Sequence, residues 1–312
     1  MSGKVLGIDI GTGTVKLTDG SMWVVLDTPE HVFDNDTFIA YDGMSELLRN
    51  AVKEHGIKTK KCALIIPDND VFFTKTTMPY MTEKQLKVNL PYELSNIVGK
   101  DKDSYIYDYA VVDYVYDGEG NPKEIELLAA AVKHTVIDRY TEMFKKAGLK
   151  LVKAMPRRIA ISQVLSSKQG DTALVDIGYS HTKIDMYRNG MFVTGRVLDF
   201  GIHTLCEIAS EVLFCDQHIA LEYLKTNKDD ILHHEKMKDA YDYVSIEIMR
   251  ALNYYTYEFR DNTLETLYCY GGGNNITPLI ETIRSTVDLE VKPISENKDV
   301  LQALAAYGAS QG

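Results

Sequence analysis

The sequence predicts an α/β protein of two lobes built from one duplicated unit, with a small α/β segment inserted between the copies. Three observations predict it. Short apolar runs alternate with longer amphipathic ones, as strands and helices do in layered α/β folds. Three consecutive strands followed by a helix occur near the first residues and again after Gly170. The two starts also align without a gap: Ile8-Asp9-Ile10-Gly11-Thr12-Gly13-Thr14-Val15-Lys16-Leu17 matches Val175-Asp176-Ile177-Gly178-Tyr179-Ser180-His181-Thr182-Lys183-Ile184, sharing Asp, Ile, Gly and Lys.

In the first copy, residues 4–10, 14–17 and 22–27 read as strands broken by Gly11, Gly13 and Gly20, and 45–55 has helical spacing. In the second, residues 172–177 and 182–188, the Asn189-Gly190 hairpin turn and residues 191–198 repeat that order, with a helix after Gly201. Between the copies lie an amphipathic stretch over 82–97, a Tyr-rich strand over 105–116 and a turn at Asp117-Gly118-Glu119-Gly120-Asn121-Pro122. A strand over 124–132 and a helix over 135–147 complete the insertion. A mostly helical stretch over 203–259 precedes a strand at 265–270 that ends in Gly271-Gly272-Gly273.

At 312 residues, with 45% hydrophobic and 25% charged residues, the composition is that of an ordinary globular protein. A net charge of -11 argues against a general nucleic-acid binder and offers no polybasic membrane patch. No apolar run reaches the about 18 residues of a membrane span, and Gly3-Lys4-Val5-Leu6-Gly7-Ile8-Asp9 is too polar for a signal peptide; a cytoplasmic location is expected. Cys62, Cys206, Cys215 and Cys269 show no CxxC spacing and are expected to be reduced thiols without a metal.

The chemistry concentrates in three turns. A strand ending in Asp9 and turning at Gly11 and Gly13 sets a carboxylate at the strand end and frees backbone N–H groups for an anion. Thr12 and Thr14 add hydroxyls, and Lys16 a positive charge; alternatively the loop is an ordinary hairpin with solvated side chains. Asp176, Gly178, Ser180 and Thr182 repeat the arrangement, so two hairpins face one cleft. Tyr179 adds bulk there, and His181 reads as a polar turn residue. In Tyr270-Gly271-Gly272-Gly273-Asn274-Asn275-Ile276-Thr277-Pro278 the glycines leave a strand, Asn275 or Thr277 is placed to cap a helix, and Pro278 suits its first turn.

Two such loops followed by a Gly-rich turn, in that order, resemble the actin and heat-shock chaperone superfamily of ATP-binding proteins. Within it the chain resembles the PilM family of type IV pilus assembly proteins, on five further segments. These are Ile66-Pro67-Asp68 with 71–79; Glu83-Lys84-Gln85-Leu86 to Tyr92-Glu93-Leu94; 127–132 with Val136-Ile137-Asp138-Arg139-Tyr140 and Ala147-Gly148-Leu149; 247–254 around Arg250; and 300–307.

The resemblance implies an actin-like duplicated two-lobe fold with ribonuclease H-like lobes and one peripheral subdomain moved, as in FtsA. Residues 1–81, 149–168 and 298–312 would form the first lobe, 82–148 the inserted subdomain, and 169–297 the second lobe, with helical part about 203–262. It implies ATP and magnesium as cofactors. It also implies residence at the inner face of the cytoplasmic membrane through partners, without membrane insertion or nucleic acid. The partner would be a PilN-like membrane-protein tail, held in a groove between first lobe and inserted subdomain near 71–94 and 105–116, with pilus motor ATPases as further partners. The tyrosines there read equally as half-buried strand residues.

Carried over by position, Asp9 and Asp176 would orient magnesium, while Gly11, Thr12, Gly13 and Lys16 would contact the terminal phosphates. Gly178 and Ser180 would close the second side. Gly271, Gly272 and Gly273 with Glu247 and Arg250 would hold the adenosine, although Glu247 and Arg250 also suit an intrahelical pair. The superfamily positions its attacking water from the helix linking the lobes, which here reads Met155-Pro156-Arg157-Arg158-Ile159-Ala160-Ile161-Ser162-Gln163 and holds no carboxylate. Arg157 cannot serve as a base. Gln163, with Asp176 through a water, remains the candidate, and hydrolysis is expected to be weak or absent. Competing readings are an actin-fold kinase, for which no acceptor-facing base is evident, and an FtsA-like filament protein. The latter's basic amphipathic tail has no counterpart in 303–312. A type II secretion platform is a close variant of the pilus reading.

Overall fold

The computed structural model describes residues 4–34, 36–99 and 101–311; Gly3 and Gly312, which belong to the two ends considered above, lie outside them. The first lobe opens with the meander β1 (Leu6–Ile10), β2 (Thr14–Thr18) and β3 (Trp23–Asp27). A two-residue-per-arm hairpin, β4 (Phe33–Asp34) and β5 (Thr37–Phe38), leads into α1 (Tyr41–Glu54), and β6 (Lys61–Ile66) returns parallel to β1. Helix α1 buries Met44, Leu48, Ala51 and Val52, one face at helical spacing. It ends because Gly56 turns left-handed at φ +61, letting Ile57 N–H donate to the Val52 carbonyl at 2.9 Å.

Strand β7 (Phe72–Pro79), helices α2 (Glu83–Glu93) and α3 (Ser95–Val98), and the long arms β8 (Tyr105–Tyr116) and β9 (Pro122–Lys133) form a unit of their own. Its sheet runs β7-β9-β8, so β9 is central and the two others are edges. The single helix expected over 82–97 is broken at Leu94. Pro91 inside α2 has no N–H to donate and crowds the preceding turn, so the last turns are redrawn as α3. Helix α4 (His134–Lys146) packs Tyr140, Met143 and Phe144 back onto the first lobe, and β10 (Lys150–Pro156) completes that lobe's sheet in the order β10-β6-β1-β2-β3.

Helix α5 (Arg157–Val164) crosses to the second lobe, where β11 (Asp171–Ile177), β12 (Thr182–Arg188) and β13 (Met191–Leu198) repeat the meander. Helices α6 (Ile202–Leu213), α7 (Gln217–Thr226) and α8 (Glu235–Glu258) form the helical stretch. Strand β14 (Thr266–Tyr270), helix α9 (Thr277–Thr286) and strand β15 (Glu290–Pro293) close a sheet ordered β13-β12-β11-β14-β15. Each sheet is thus a meander with two parallel strands added on the same side of its first strand, the structural counterpart of the repeat seen in the sequence.

The chain then returns to the first lobe. The last helix, expected as one segment over 300–307, is two: α10 (Lys298–Gln302) and α11 (Leu304–Gln311), parted at Ala303. Helix α11 lies on β1 and α5 through glycines. A Cβ on Gly7 would run into the Ala306 carbonyl, and one on Gly308 into the Ala160 carbonyl. Leu128, Ile161, Leu165, Leu174, Tyr187, Phe192, Tyr270 and Leu304 form an apolar cluster shared between the lobes.

The start of β11 is pinned by Asp171, whose side chain is 3% exposed. It accepts from Arg188 Nε at 2.9 Å, from Thr263 N–H at 2.8 Å and from the Tyr255 hydroxyl. Burial works against its charge, but these donors outweigh it and hold the carboxyl below its ordinary value. A depressed folded pKa contributes stability above the unfolded value, lost as pH falls through it. Asp171→Asn is therefore expected to lose about 2 kcal/mol at pH 7, and the gap to wild type should narrow toward pH 3–4, read by urea unfolding at both pH values.

Candidate functional site

Asp9 is the penultimate residue of β1 and faces Lys16 across β2; Asp176 is the penultimate residue of β11 and faces Lys183 across β12. Duplication places the two carboxylates at equivalent strand ends, in the crevice where layered α/β folds carry ligands. The lysines then diverge. Lys16 Nζ stays 3.3 Å from Asp9, whereas Lys183 Nζ reaches across the lobes to Asp68, at 2.6 Å. Burial favours the neutral acid at Asp68, yet Lys183 with Arg157 and Arg158 hold its pKa at about 2. Asp176 goes the other way: burial pushes its pKa up, and the nearby cations offset this only in part.

Beside Asp176 stands Arg157. Pro156 caps α5 with backbone angles outside the helix, so Arg157 starts the helix and points between the lobes, 6% exposed. Its Nη2 lies 2.5 Å from Asp185 Oδ2, its Nη1 donates to the Tyr270 hydroxyl at 2.8 Å, and Asp176 Oδ2 is 4.0 Å away. Arg158 Nε donates to the other Asp185 oxygen at 3.0 Å. Asp185 is only 1% exposed, and the field of these acids keeps Arg157 charged. Sequence reasoning noted Arg157 only as a residue unable to act as a base. It missed Asp185, Tyr270, Asp68 and Lys183, although a carboxylate between Ile184 and Met186 in mid-strand was a visible signal.

The expected phosphate loops meet each other. Gly11 N–H donates to the Thr14 carbonyl at 3.0 Å and Gly178 N–H to the His181 carbonyl at 2.9 Å, so both are used within their own turns. Ser180 Oγ donates to Thr12 Oγ1 at 2.9 Å. The Tyr179 side chain lies on Gly13, where a Cβ would come within 2.6 Å of it. His181 Nε2 points toward Asp36, 3.5 Å away. In the third loop, Gly271 has φ +86, and a side chain there would strike the Asp176 carboxylate; one on Gly273 would strike Ile177, and one on Gly272 would come within 2.9 Å of Ile202. Helix α9 does begin at Thr277 with Pro278 in its first turn, but neither Asn275 nor Thr277 caps it. Ile276 is the N-cap residue, because the short 3-10 turn over Gly272–Asn275 carries the chain past Asn275 before the helix opens.

Glu247, 6% exposed, is held by Arg196 at 2.7 Å and by Arg250, so the intrahelical pair forms and both carboxylate oxygens are engaged. Gln163 lies six residues beyond Arg157, about 9 Å along the helix axis, with its Oε1 buried and lacking a hydrogen-bond partner. Of two cavities, one of about 430 Å³ is bordered by Trp23, Leu165 and Tyr307, and one of about 210 Å³, bordered by Asn274, Thr277, Arg284 and Pro293, adjoins the end of the Gly-rich turn.

The family model described as "Type IV pilus assembly protein PilM" matches residues 7–302. The chain belongs to the PilM family. Among solved structures it is similar to a PilM–PilN type IV pilus biogenesis complex at TM-score 0.80, with 16% identity over 100% of this chain and 98% of that one. It is also similar to ethanolamine utilization protein EutJ from Carboxydothermus hydrogenoformans, at TM-score 0.62 and 16% identity over 100% and 91%. The archaeal actin homologue Ta0583 follows at 0.52 and 11% over 99% and 98%. No curated protein matches the chain. These likenesses establish the actin-like fold.

That fold implies a nucleotide with a divalent metal, and in this PilM-family chain several of the groups that would hold them already have protein partners. The hydroxyls of Thr12 and Ser180 bond to each other, Tyr179 fills the space on Gly13, and the Gly-rich turn is packed by Asp176, Ile177 and Ile202. Asp9 is paired with Lys16, and Asp176 faces the fixed guanidinium of Arg157. Among the described residues, no group of three or more His, Cys, Asp or Glu is placed to hold a metal ion. No helix among them is long and apolar enough to cross a membrane.

Proposed function

We propose that this protein is an assembly scaffold of a type IV pilus or related secretion platform, binding the short cytoplasmic tail of a PilN-like membrane protein. The observation that carries this reading is where its exposed apolar surface lies. Of the twenty large hydrophobic side chains exposed among the described residues, ten fall between Phe72 and Tyr116, on the unit built by β7, α2, α3 and β8. Such a concentration of exposed apolar side chains on one unit is what an interaction face presents. Helix α2 has apolar residues on two sides: Leu86 and Leu90 turn into the unit's own core, while Val88 and Tyr92, one turn apart, are 64% and 60% exposed. A groove between this unit and the first lobe is the proposed seat of the tail. The structure of a PilM–PilN complex with the same fold supports the choice of partner.

A version tuned by ATP and magnesium, with nucleotide setting lobe closure, is what the fold alone favours; the filled cleft favours a scaffold that works without turnover. Fluorescence anisotropy with a labelled peptide of the short cytoplasmic tail of the PilN-like protein tests the reading. Val88→Asp and Tyr92→Asp are each expected to weaken binding at least tenfold, about 1.4 kcal/mol, with an unchanged melting temperature. Equal affinity in both variants and wild type would sink the proposed groove.

A further inference from the structure

We infer that the two lobes are clasped by the protein's own side chains, with the Arg157 guanidinium beside the strand-end carboxylate of Asp176 and Lys16 beside that of Asp9 in the metal's stead, so that the cleft takes up neither magnesium nor ATP. Three independent fillings carry this. The charge expected of a metal is already supplied: Arg157 is bound by Asp185 on one side, by Tyr270 on another and lies 4.0 Å from Asp176, while Lys183 ties Asp68 to the second lobe at 2.6 Å. A divalent ion entering there would meet a buried cation that cannot give up its proton. The phosphate position is taken as well. Thr12 and Ser180 satisfy each other at 2.9 Å, Tyr179 lies on Gly13, and the Gly11 and Gly178 N–H groups are spent inside their turns.

The third filling lies on the adenosine side. Glycines in such a loop serve either to admit a ligand or to admit neighbouring protein atoms, and here the atoms are named. A Cβ on Gly271 would meet Asp176, one on Gly273 Ile177 and one on Gly272 Ile202, so these glycines serve close packing of the turn on β11 and α6. Glu247, the expected purine-side carboxylate, is engaged by Arg196 and Arg250. The clasp also crosses the lobe boundary repeatedly: Arg157 and Arg158 reach from α5 to Asp185 in β12, Thr12 to Ser180, and Asp68 to Lys183. The lobes are therefore closed by bonds that need no exchangeable ligand, and closure is a fixed property of this chain.

The test is a titration of wild-type protein with ATP, with and without magnesium, followed by calorimetry, thermal melting and amide hydrogen exchange. A ligand present at a hundred times its Kd would raise the melting temperature of a chain this size by about 4 °C. The expected result is no saturable heat, no shift in melting, and the same exchange protection in residues 11–14 and 178–182 in EDTA as in magnesium with ATP. Saturable magnesium-ATP binding overturns the inference. Arg157→Gln supplies a second reading: protection in those two loops should fall at least tenfold, not restored by magnesium, while β9 keeps its protection. Loops as protected as in wild type would remove Arg157 from the role. Should that variant fail to fold, the wild-type titration still decides. Failure of the tail peptide to bind would count against the scaffold and leave this result untouched.

Discussion

Asp185→Ala is expected to lower folding stability by about 3–5 kcal/mol. Asp185 accepts from two guanidiniums at once, Arg157 at 2.5 Å and Arg158 at 3.0 Å, from a position 1% exposed. Attraction between buried charges is offset by the water they give up, so the intact pair contributes little in itself. Removing one partner is another matter, because Arg157 stays charged and keeps only Tyr270 as a hydrogen-bond acceptor, with Asp176 4.0 Å distant. Urea unfolding at neutral pH reads the loss. A change below about 1 kcal/mol would place Asp185 among surface-like ion pairs and contradict the role given to it here.

The second large effect concerns glycines that no ligand argument would select. In an exposed helix, alanine is favoured over glycine by about 1 kcal/mol, and Gly43 in α1, where a Cβ would meet nothing, should follow that rule. Gly308→Ala should reverse it, because its Cβ would run into the Ala160 carbonyl, and Gly7→Ala should do the same against the Ala306 carbonyl. Backbone on both sides leaves no side chain to swing aside. Each substitution is expected to destabilise by about 3 kcal/mol, loosening α11 from the first lobe, whereas Gly43→Ala should be neutral or stabilising. Thermal melts of the three variants side by side would show whether the sign divides this way.

The duplicated fold was legible because it is written in local patterns. Two strand meanders, each with Asp and Lys opposed across the first hairpin, need only alternation and glycine spacing to be seen, and the sheets reproduce that register. The Asn189-Gly190 turn and the strand ending at Tyr270 were equally local. What sequence could not supply was which atoms fill the space a glycine leaves. Gly271, Gly272 and Gly273 read as room for a purine, and the neighbours packed on them come from β11 and α6, 70 residues or more away. Asp185 and Lys183 were hidden for the same reason, since their partners Arg157 and Asp68 arrive from other elements. Helix lengths failed at two points: Pro91 in α2 overrode an otherwise continuous apolar spacing, and the last helix parted at Ala303.

The packing of α11 on β1 also sets the order in which the chain can be finished during synthesis. The second sheet draws all five strands from one stretch, Asp171 to Pro293, and can assemble as soon as that stretch has emerged. The first sheet cannot be covered so early. Its central strand awaits a helix encoded roughly 300 residues downstream, which at ordinary ribosome speeds arrives about 15–60 s later. Until then the face of β1 around Gly7 stays bare, so the lobe begun first is sealed last, and in a nascent chain that strand is the part most in need of protection.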